Sequence, residues 1–366
     1  MATTTTREAA NTTHAQRVII VLGAGRSGTS TITRGLQALG VHLGDQLRPG
    51  GGKNPNGFFE DEGLLKLNKR LRKMLGLRAE SVSLIDPRQW QAPDVQALKQ
   101  EAQQTIRQRF GHIPLWGYKY SGTLRMFPFW REVFQALGLD VRYVMAIRNL
   151  ISVARSRAQL NPRRGAQEKS DLEWLVNVVP YFRAVQERPF VVVDYDLVMA
   201  DALRQLERIA TTLDLPRTAT TKASVQEYAN QFLDPSLRHT RFTDADLAQN
   251  PRLNPITREA YRWLYRLATD SVDPHSPEIW QAWEQIEHDL AAQAHLLRCI
   301  DQLENDLHCA QRSFLGPLQI LPQAWRNLRK NWNVARIMAK VKIFGQERLS
   351  LRHLPAIAKS DHTTLA

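Results

Sequence analysis

The residues that could do chemistry begin in the stretch RVIIVLGAGRSGTS, residues 17 to 30. Gly23, Gly25 and Gly28 let backbone N–H groups turn toward one point and let a ligand come close. Arg26 sits inside this turn, and the hydroxyls of Thr29, Ser30 and Thr31 follow it. A glycine-rich turn between a strand and a helix N-terminus is an anion site, and the anion it suits is a phosphate or a sulfate ester. The spacing from Gly23 to Gly28 is that of a Walker A loop, G-x-x-x-x-G-K-[ST], and Ser30 holds the place of its magnesium-binding hydroxyl. The lysine place, however, holds Thr29, which argues against ATP or GTP hydrolysis. Two further cations stand at the ends of apolar runs. Lys119 closes LWGYKY, and Arg148 follows VRYVMAI, with Ser156 eight residues later. Arginine suits such a place because it offers a charged fork to phosphate oxygens.

The elements that must position these residues can be read from the pattern. Val18 to Leu22 is a short β-branched run, expected as a buried strand. Ile32, Leu36 and Leu39 predict the helix after it, and Gly40 its stop. Strands are expected at 115–120, 141–147 and 190–193, and a helix over 150–160. An amphipathic helix is expected from Asp201 to Leu213, with Leu203, Leu206, Ile209, Ala210 and Leu213 facing inward. Residues 48 to 57 are dense in Gly, Pro and Asn and read as a loop. Residues 80 to 110 read as irregular helix. Asp194 and Asp196 are expected as structural caps. This alternation predicts an α/β fold, a parallel sheet flanked by helices on both faces. Ligands bind such sheets at the carboxyl ends of the strands, where Gly23 to Thr29, Lys119 and Arg148 all fall.

The 366 residues carry a net charge of +13, so an acidic partner is expected. Residues 314 to 366 hold nine Lys and Arg against two Asp and Glu; the rest is mildly basic, and no nucleic-acid partner is expected. Cys299 and Cys309 lie ten residues apart on one predicted helix. That is about 15 Å of rise, too far for a disulfide within the chain, and fits a reduced, cytoplasmic setting. Residues 1–16 are polar and expected to be disordered, without the apolar core of a signal peptide. No run approaches the roughly 20 apolar residues of a membrane span.

The chain thus divides into that N-terminus, a main domain over 17–270, a helical stretch over 276–313 and a basic tail over 314–366. Ser276 and Pro277 open the helical stretch. Its seam runs through Ile279, Trp283, Ile286, Leu290, Gln293, Leu297, Ile300, Glu304 and Leu307. The seam suits a coiled coil or a homo-oligomer contact, and equally a helix packed on its own domain. The tail mixes Trp325, Leu328, Trp332, Ile337 and Phe344 with Arg and Lys. That composition suits peripheral contact with an anionic membrane surface, or a cover for the domain.

Taken together these segments resemble bacterial, carbohydrate-type sulfotransferases. The loop reads G-x-x-R-S-G-T-S. It is followed by L-G-x-x-L at Leu43, Gly44 and Leu47, and by N-P-x-G-F-F-E from Asn54 to Glu60. Then come R-x7-S at Arg148 and Ser156, Tyr195–Asp196–Leu197 where the family has [YE]-x-D-L, and F-x-D-P-x-L-R from Phe232 to Arg238. The resemblance covers about residues 17 to 245. It implies the sulfotransferase P-loop fold and 3′-phosphoadenosine 5′-phosphosulfate (PAPS) as donor, with no metal. Gly25, Arg26, Ser27, Gly28, Thr29 and Ser30 would take the 5′-phosphosulfate. Arg148 and Ser156 would take the 3′-phosphate, and Arg238, with His239 beside it, would close over the nucleotide.

The resemblance also implies a glutamate base for the acceptor, a place Glu60 fits; the neighbouring Asp61 is expected to raise its pKa, and an acidic cap of the helix at 60–62 is the other reading of Glu60. Arg26 and Lys119 are expected as cations for the sulfate and the leaving group. The sequence departs from the family after Lys119. It reads Lys119–Tyr120–Ser121 where cytosolic members have a K-T-H histidine and many bacterial ones K-D-P-R. The acceptor implied is a hydroxyl or amine on a glycan, glycolipid or small molecule. The rivals are a P-loop nucleotide kinase or NTPase, and a non-catalytic nucleotide-binding adaptor on membranes.

Overall fold

The structure is a computed structural model; it describes residues 16–51, 57–234 and 242–319, with side chains to residue 310. Four strands form one parallel sheet: β1 (Arg17–Leu22), β2 (Leu115–Lys119), β3 (Asp140–Ile147) and β4 (Phe190–Asp194). Their order is β2-β1-β3-β4, with β1 and β3 at the centre. The chain leaves β1 for one side and returns on the other, so the switch point lies beside β1, where α/β sheets open a crevice for ligands.

Helices follow in chain order: α1 (Thr29–Ala38), α2 (Glu62–Met74), α3 (Pro93–Phe110), α4 (Phe127–Ala136), α5 (Leu150–Ala158), α6 (Gln167–Phe182), α7 (Tyr195–Ala200) and α8 (Ala202–Thr212). Then come α9 (Ala219–Glu227), α10 (Asp244–Gln249), α11 (Pro255–Ala268), α12 (Pro277–Ala292) and α13 (Ala294–Gln319). Strand residues alternate between two cores. Val18, Ile20 and Leu22 pack with α2, α3, α4, α6 and α11. Ile19 and Val21 pack with α1 and α8 on the other face. Burial on both faces explains why β1 is apolar throughout rather than alternating.

Leu203 departs from the expected face of α8. It is 39% exposed, while Leu206, Ile209 and Ala210 are buried. Position 203 lies one turn before 206, at the rim of the apolar stripe rather than within it. Asp194 caps α7, accepting from the backbone N–H groups of Asp196 and Leu197, whereas Asp196 lies within the first turn.

The chain divides into two compact units, Met1–Asp301 and Gln302–Ala366. The first includes α12 and the start of α13. The reason is packing: Ile279, Trp283, Ile286, Leu290 and Leu297 of the seam are buried in the same core as α6 and α11. Trp283 also donates its indole N–H to the Val179 carbonyl at 3.1 Å. Ser276 caps α12 as expected, and both cysteines lie on α13, free and exposed. Among the described residues no helix is long and apolar enough to cross a membrane. Residues 1–15 and the tail from 320 onward lie outside the described residues.

Candidate active site

The turn after β1 is shaped by contacts as much as by glycine's freedom. Gly23 has φ +150°, and a Cβ there would come 2.7 Å from the Ala146 carbonyl oxygen of β3. Gly28 has φ +77°, and a Cβ there would press on the Tyr195 ring at 2.3 Å. Between them Arg26 adopts φ +77° without being glycine, at a cost of about 1 kcal/mol. Its guanidinium Nε donates to Ser156 Oγ at 2.9 Å. Burial, then the charge of Arg148, push the Arg26 guanidinium below its usual pKa.

Arg148 lies 4.5 Å over the Tyr195 ring. Its Nε is buried with no hydrogen-bond partner among the described residues. The Tyr195 ring therefore meets both Gly28 and Arg148. Gly25, Thr29 and Ser30 line the cavity with Arg26, Gly28, Arg148 and Ser156. Ser27 does not line it: the residue is fully buried, and its hydroxyl has no partner among the described residues.

A second group of residues meets this loop from the side of β2. Lys119 Nζ donates to Ser30 Oγ at 3.1 Å, to the Phe58 carbonyl at 2.6 Å and to Glu60 Oε1 at 3.1 Å. Burial is the largest influence on Lys119 and pushes its ammonium below the usual lysine pKa, although Glu60 opposes the shift. Glu60 is 3% exposed and also meets Arg48 Nη1 at 3.4 Å. Arg48 in turn lies 4.0 Å over the Phe58 ring. Phe59, left-handed at φ +53°, packs its edge on Phe232 with ring centroids 6.1 Å apart.

The two segments matched before α2 are bonded to each other. Arg48 N–H donates to the Glu60 carbonyl at 2.8 Å, and Glu62 N–H to the Gln46 carbonyl at 2.9 Å. Gly44 leaves space for Asp61, since a Cβ there would lie 2.7 Å from Oδ2. Asp61 is not the like-charge neighbour expected for Glu60. Its carboxylate caps α2 through Leu64 N–H at 3.1 Å and pairs with Arg109 at 2.5 Å. The immediate charged neighbours of Glu60 are cations.

Both groups open on one cavity of about 590 Å³. Its walls include several side chains that the motifs did not single out. Arg157 is buried and held by Ser170, with Nη2 3.4 Å from the Gly25 carbonyl. Burial, with lesser effects from its neighbours, pushes Arg157 down to about 10. Glu173 pairs with Arg157 at 3.5 Å and with Arg164 at 2.7 Å. Arg157 adjoins Ser156 in sequence, so the motif pointed to its position without assigning it. Glu173, Lys69 and Arg72 carried no spacing signal. Tyr120 and Ser121 line the cavity in place of a histidine. Arg238 and His239 lie outside the described residues.

The described part of the chain is thus a parallel α/β domain whose central strand leads into a glycine-shaped turn, ringed by arginine and lysine, with the buried carboxylates of Glu60 and Glu173 in the same cavity. No family model and no curated protein matches the sequence. Among solved structures the chain is similar to bacterial sulfotransferase domains. The sulfotransferase domain of the Synechococcus PCC 7002 olefin synthase shares 15% identity, with a TM-score of 0.36, across 76% of this chain and 96% of that one. The sulfotransferase STF9 of Mycobacterium avium shares 17%, with a TM-score of 0.39, across 71% and 77%. The sulfotransferase domain of the curacin biosynthetic pathway shares 15%, with a TM-score of 0.36, across 75% and 98%.

Proposed function

We propose that this chain is a sulfotransferase. It would move a sulfuryl group from 3′-phosphoadenosine 5′-phosphosulfate to a hydroxyl, or an amine, of a glycan, glycolipid or small molecule. One observation carries the reading: Lys119 Nζ joins Ser30, at the start of α1, to Glu60, which sets a cation and a carboxylate at the mouth of an anion cradle whose Walker lysine place holds Thr29.

The fit of the donor rests on two features of the chain. The turn after β1 leaves room for an anion at Gly25, since a Cβ there would meet nothing within 4 Å beyond its chain neighbours. The buried, unpartnered Nε of Arg148 is a donor awaiting an acceptor, because such groups are costly to leave unmade. Arg148 and Ser156 would take the 3′-phosphate, and the cradle with Arg26 the 5′-phosphosulfate.

In the reaction the acceptor oxygen forms a bond to sulfur, while the bond from sulfur to the bridging phosphate oxygen breaks. The acceptor proton passes to Glu60, and 3′,5′-bisphosphoadenosine leaves with the bridging electron pair. Lys119 and Arg26 hold charge that develops on the bridging and sulfuryl oxygens. The tail over 314–366, with its excess of Lys and Arg, supports a membrane-borne or anionic acceptor and a peripheral position on the cytoplasmic side.

The test is transfer of label from a sulfur-labelled donor into glycan and glycolipid fractions. Wild type is expected to label one of them, and Glu60→Gln to lose most of that turnover. Magnesium-dependent ATP hydrolysis with no label transferred to any fraction would overturn the proposal in favour of a P-loop kinase or NTPase.

A further inference from the structure

The cavity holds more positive charge than the donor would use. Ten lysines and arginines line it, against Glu60, Glu173 and Asp234. A donor with two phosphate groups and a sulfate brings about four negative charges. The surplus lies away from the loop. α2 presents Leu65, Lys69 and Arg72 to the cavity, at the i, i+4, i+7 spacing of a single helix face. Gly76, at φ +65°, turns the chain after α2, and Leu77 and Arg78 then add to the same wall.

This wall is held in place from several directions. Arg72 Nη1 donates to the Tyr120 hydroxyl at 3.1 Å, the residue after Lys119. Arg125 grips the Ser81 and Ser83 carbonyls at 2.5 Å each. Asp301 accepts from the Val82 and Ser83 backbone N–H groups at 2.8 Å each. Arg125 is pushed below its usual pKa chiefly by burial; Tyr181 and Asp301 oppose the shift, and the charge of Arg72 adds to it. Neither Lys69 nor Arg72 meets a carboxylate among the described residues; the polar contact of Arg72 is a phenol.

We infer that the acceptor carries its own anionic group, a phosphate or a carboxylate, and that Lys69 and Arg72 on α2 bind it while the reacting hydroxyl or amine lies at Glu60. The inference rests on the sulfotransferase reading for the role of Glu60, but the cation pair stands without it. Seven residues separate Glu62 from Lys69, which is on the order of 10 Å of helix rise. The anion therefore sits about one or two sugar rings from the reacting atom. Arg72 provides a planar fork fixed at one edge by Tyr120, and Lys69, exposed, provides a mobile point charge.

The test uses the full chain saturated with adenosine 3′,5′-bisphosphate and titrates lactose, lactobionate and lactose 1-phosphate by calorimetry. Lactobionate or lactose 1-phosphate is expected to bind at least about 10-fold more tightly than lactose, the size of one charge-assisted contact. Comparison of the two anionic sugars tells a carboxylate site from a phosphate site. The Lys69→Ala/Arg72→Gln variant is expected to lose that preference and to keep its affinity for the bisphosphate, which also shows that it folds. Equal affinity for the three sugars, or a preference unchanged in the variant, would overturn the inference. Bisphosphate binding without any preference removes the anionic subsite alone. A preference without bisphosphate binding removes the donor reading and leaves the subsite standing.

Discussion

The two ends of the cavity are built in different ways. The end that would take the donor is made where strands stop. Gly23 to Thr29 follow β1, Arg148 follows β3 and Tyr195 follows β4, so sheet register places them and little else is needed. The opposite end is made of pairs between segments that the sheet does not order. Arg48 reaches Glu60, and behind it Arg109 reaches Asp61. Lys119 is the joint, standing at the end of β2 yet bonded to Phe58 and Glu60 of the loop before α2. The first end therefore depends on backbone conformation, and the second on buried ion pairs. Substitutions at the two ends should fail in different ways.

The largest difference is expected at Gly28. Gly28→Ala forces a side chain into φ +77° and against the Tyr195 ring at 2.3 Å, and should cost about 2–3 kcal/mol of stability and most of the bisphosphate affinity. Gly25→Ala, with nothing within 4 Å, should change stability by less than about 1 kcal/mol. Denaturant titration with and without adenosine 3′,5′-bisphosphate checks both, and equal losses for the two glycines would contradict the steric account.

Glu60→Gln keeps the shape beside Lys119 and removes the base, so kcat should fall about 10²–10⁴-fold with donor affinity unchanged. Glu60→Ala is a poorer probe, because it leaves the buried Lys119 ammonium without its carboxylate, a loss of about 3–5 kcal/mol. Arg148→Ala should do the reverse of Glu60→Gln. Donor affinity should drop about 10–100-fold, as for one or two charged hydrogen bonds, with kcat at saturating donor nearly kept. Steady-state kinetics separates the two, and equal loss of donor affinity in both variants would break the division of the cavity into two ends.

A smaller effect concerns pH. Asp194 supports Tyr195 by capping α7, and burial, reinforced by Asp196, pushes its carboxyl up to about 7. The folded protein thus holds a proton on Asp194 between about pH 4 and pH 7 that the unfolded chain has released. Stability from this group is fully present below its unfolded pKa and is lost as pH rises through the folded one. Asp171, pushed up to about 7 by burial, acts with the same sign. Asp194→Asn, whose amide oxygen can still accept from Asp196 and Leu197, should flatten the fall in Tm over this window. A slope identical to wild type would contradict the buried, protonated carboxyl.

The same contrast explains what the sequence disclosed. The strands, α1 and the anion cradle were legible because their signals are local: an apolar β-branched run, then Gly23, Gly28 and the Gly40 stop. Arg148 and Ser156 were legible as a pair because eight residues, about two helical turns, separate them, and both line the cavity. The contact of Tyr195 with Gly28 was not legible, since it joins β4 to the loop after β1 across the sheet. The partner of Asp61 was misread for a related reason. Adjacency in sequence suggested Glu60, whereas the extended conformation at Asp61 turns its carboxylate to Arg109 on α3. Lys69 and Arg72 carry no motif or spacing signal, and only the return of the chain after Gly76 makes their face of α2 a cavity wall with Leu77 and Arg78. The seam of α12 was equally ambiguous. Apolar spacing there is the same for a coiled coil and for a helix on its own domain; that Ile279 to Leu297 bury in the core with α6 and α11 depends on contacts far apart in the chain.

The central claim is that the cradle after β1 takes a 3′-phosphorylated adenosine anion through Arg26, Arg148 and Ser156 rather than a magnesium-bound triphosphate. Titration of the wild-type chain with adenosine 3′,5′-bisphosphate, against ATP with magnesium, tests it most directly. The account predicts binding of the bisphosphate that is at least about 10-fold tighter and indifferent to magnesium. Tighter, magnesium-dependent binding of ATP would contradict it.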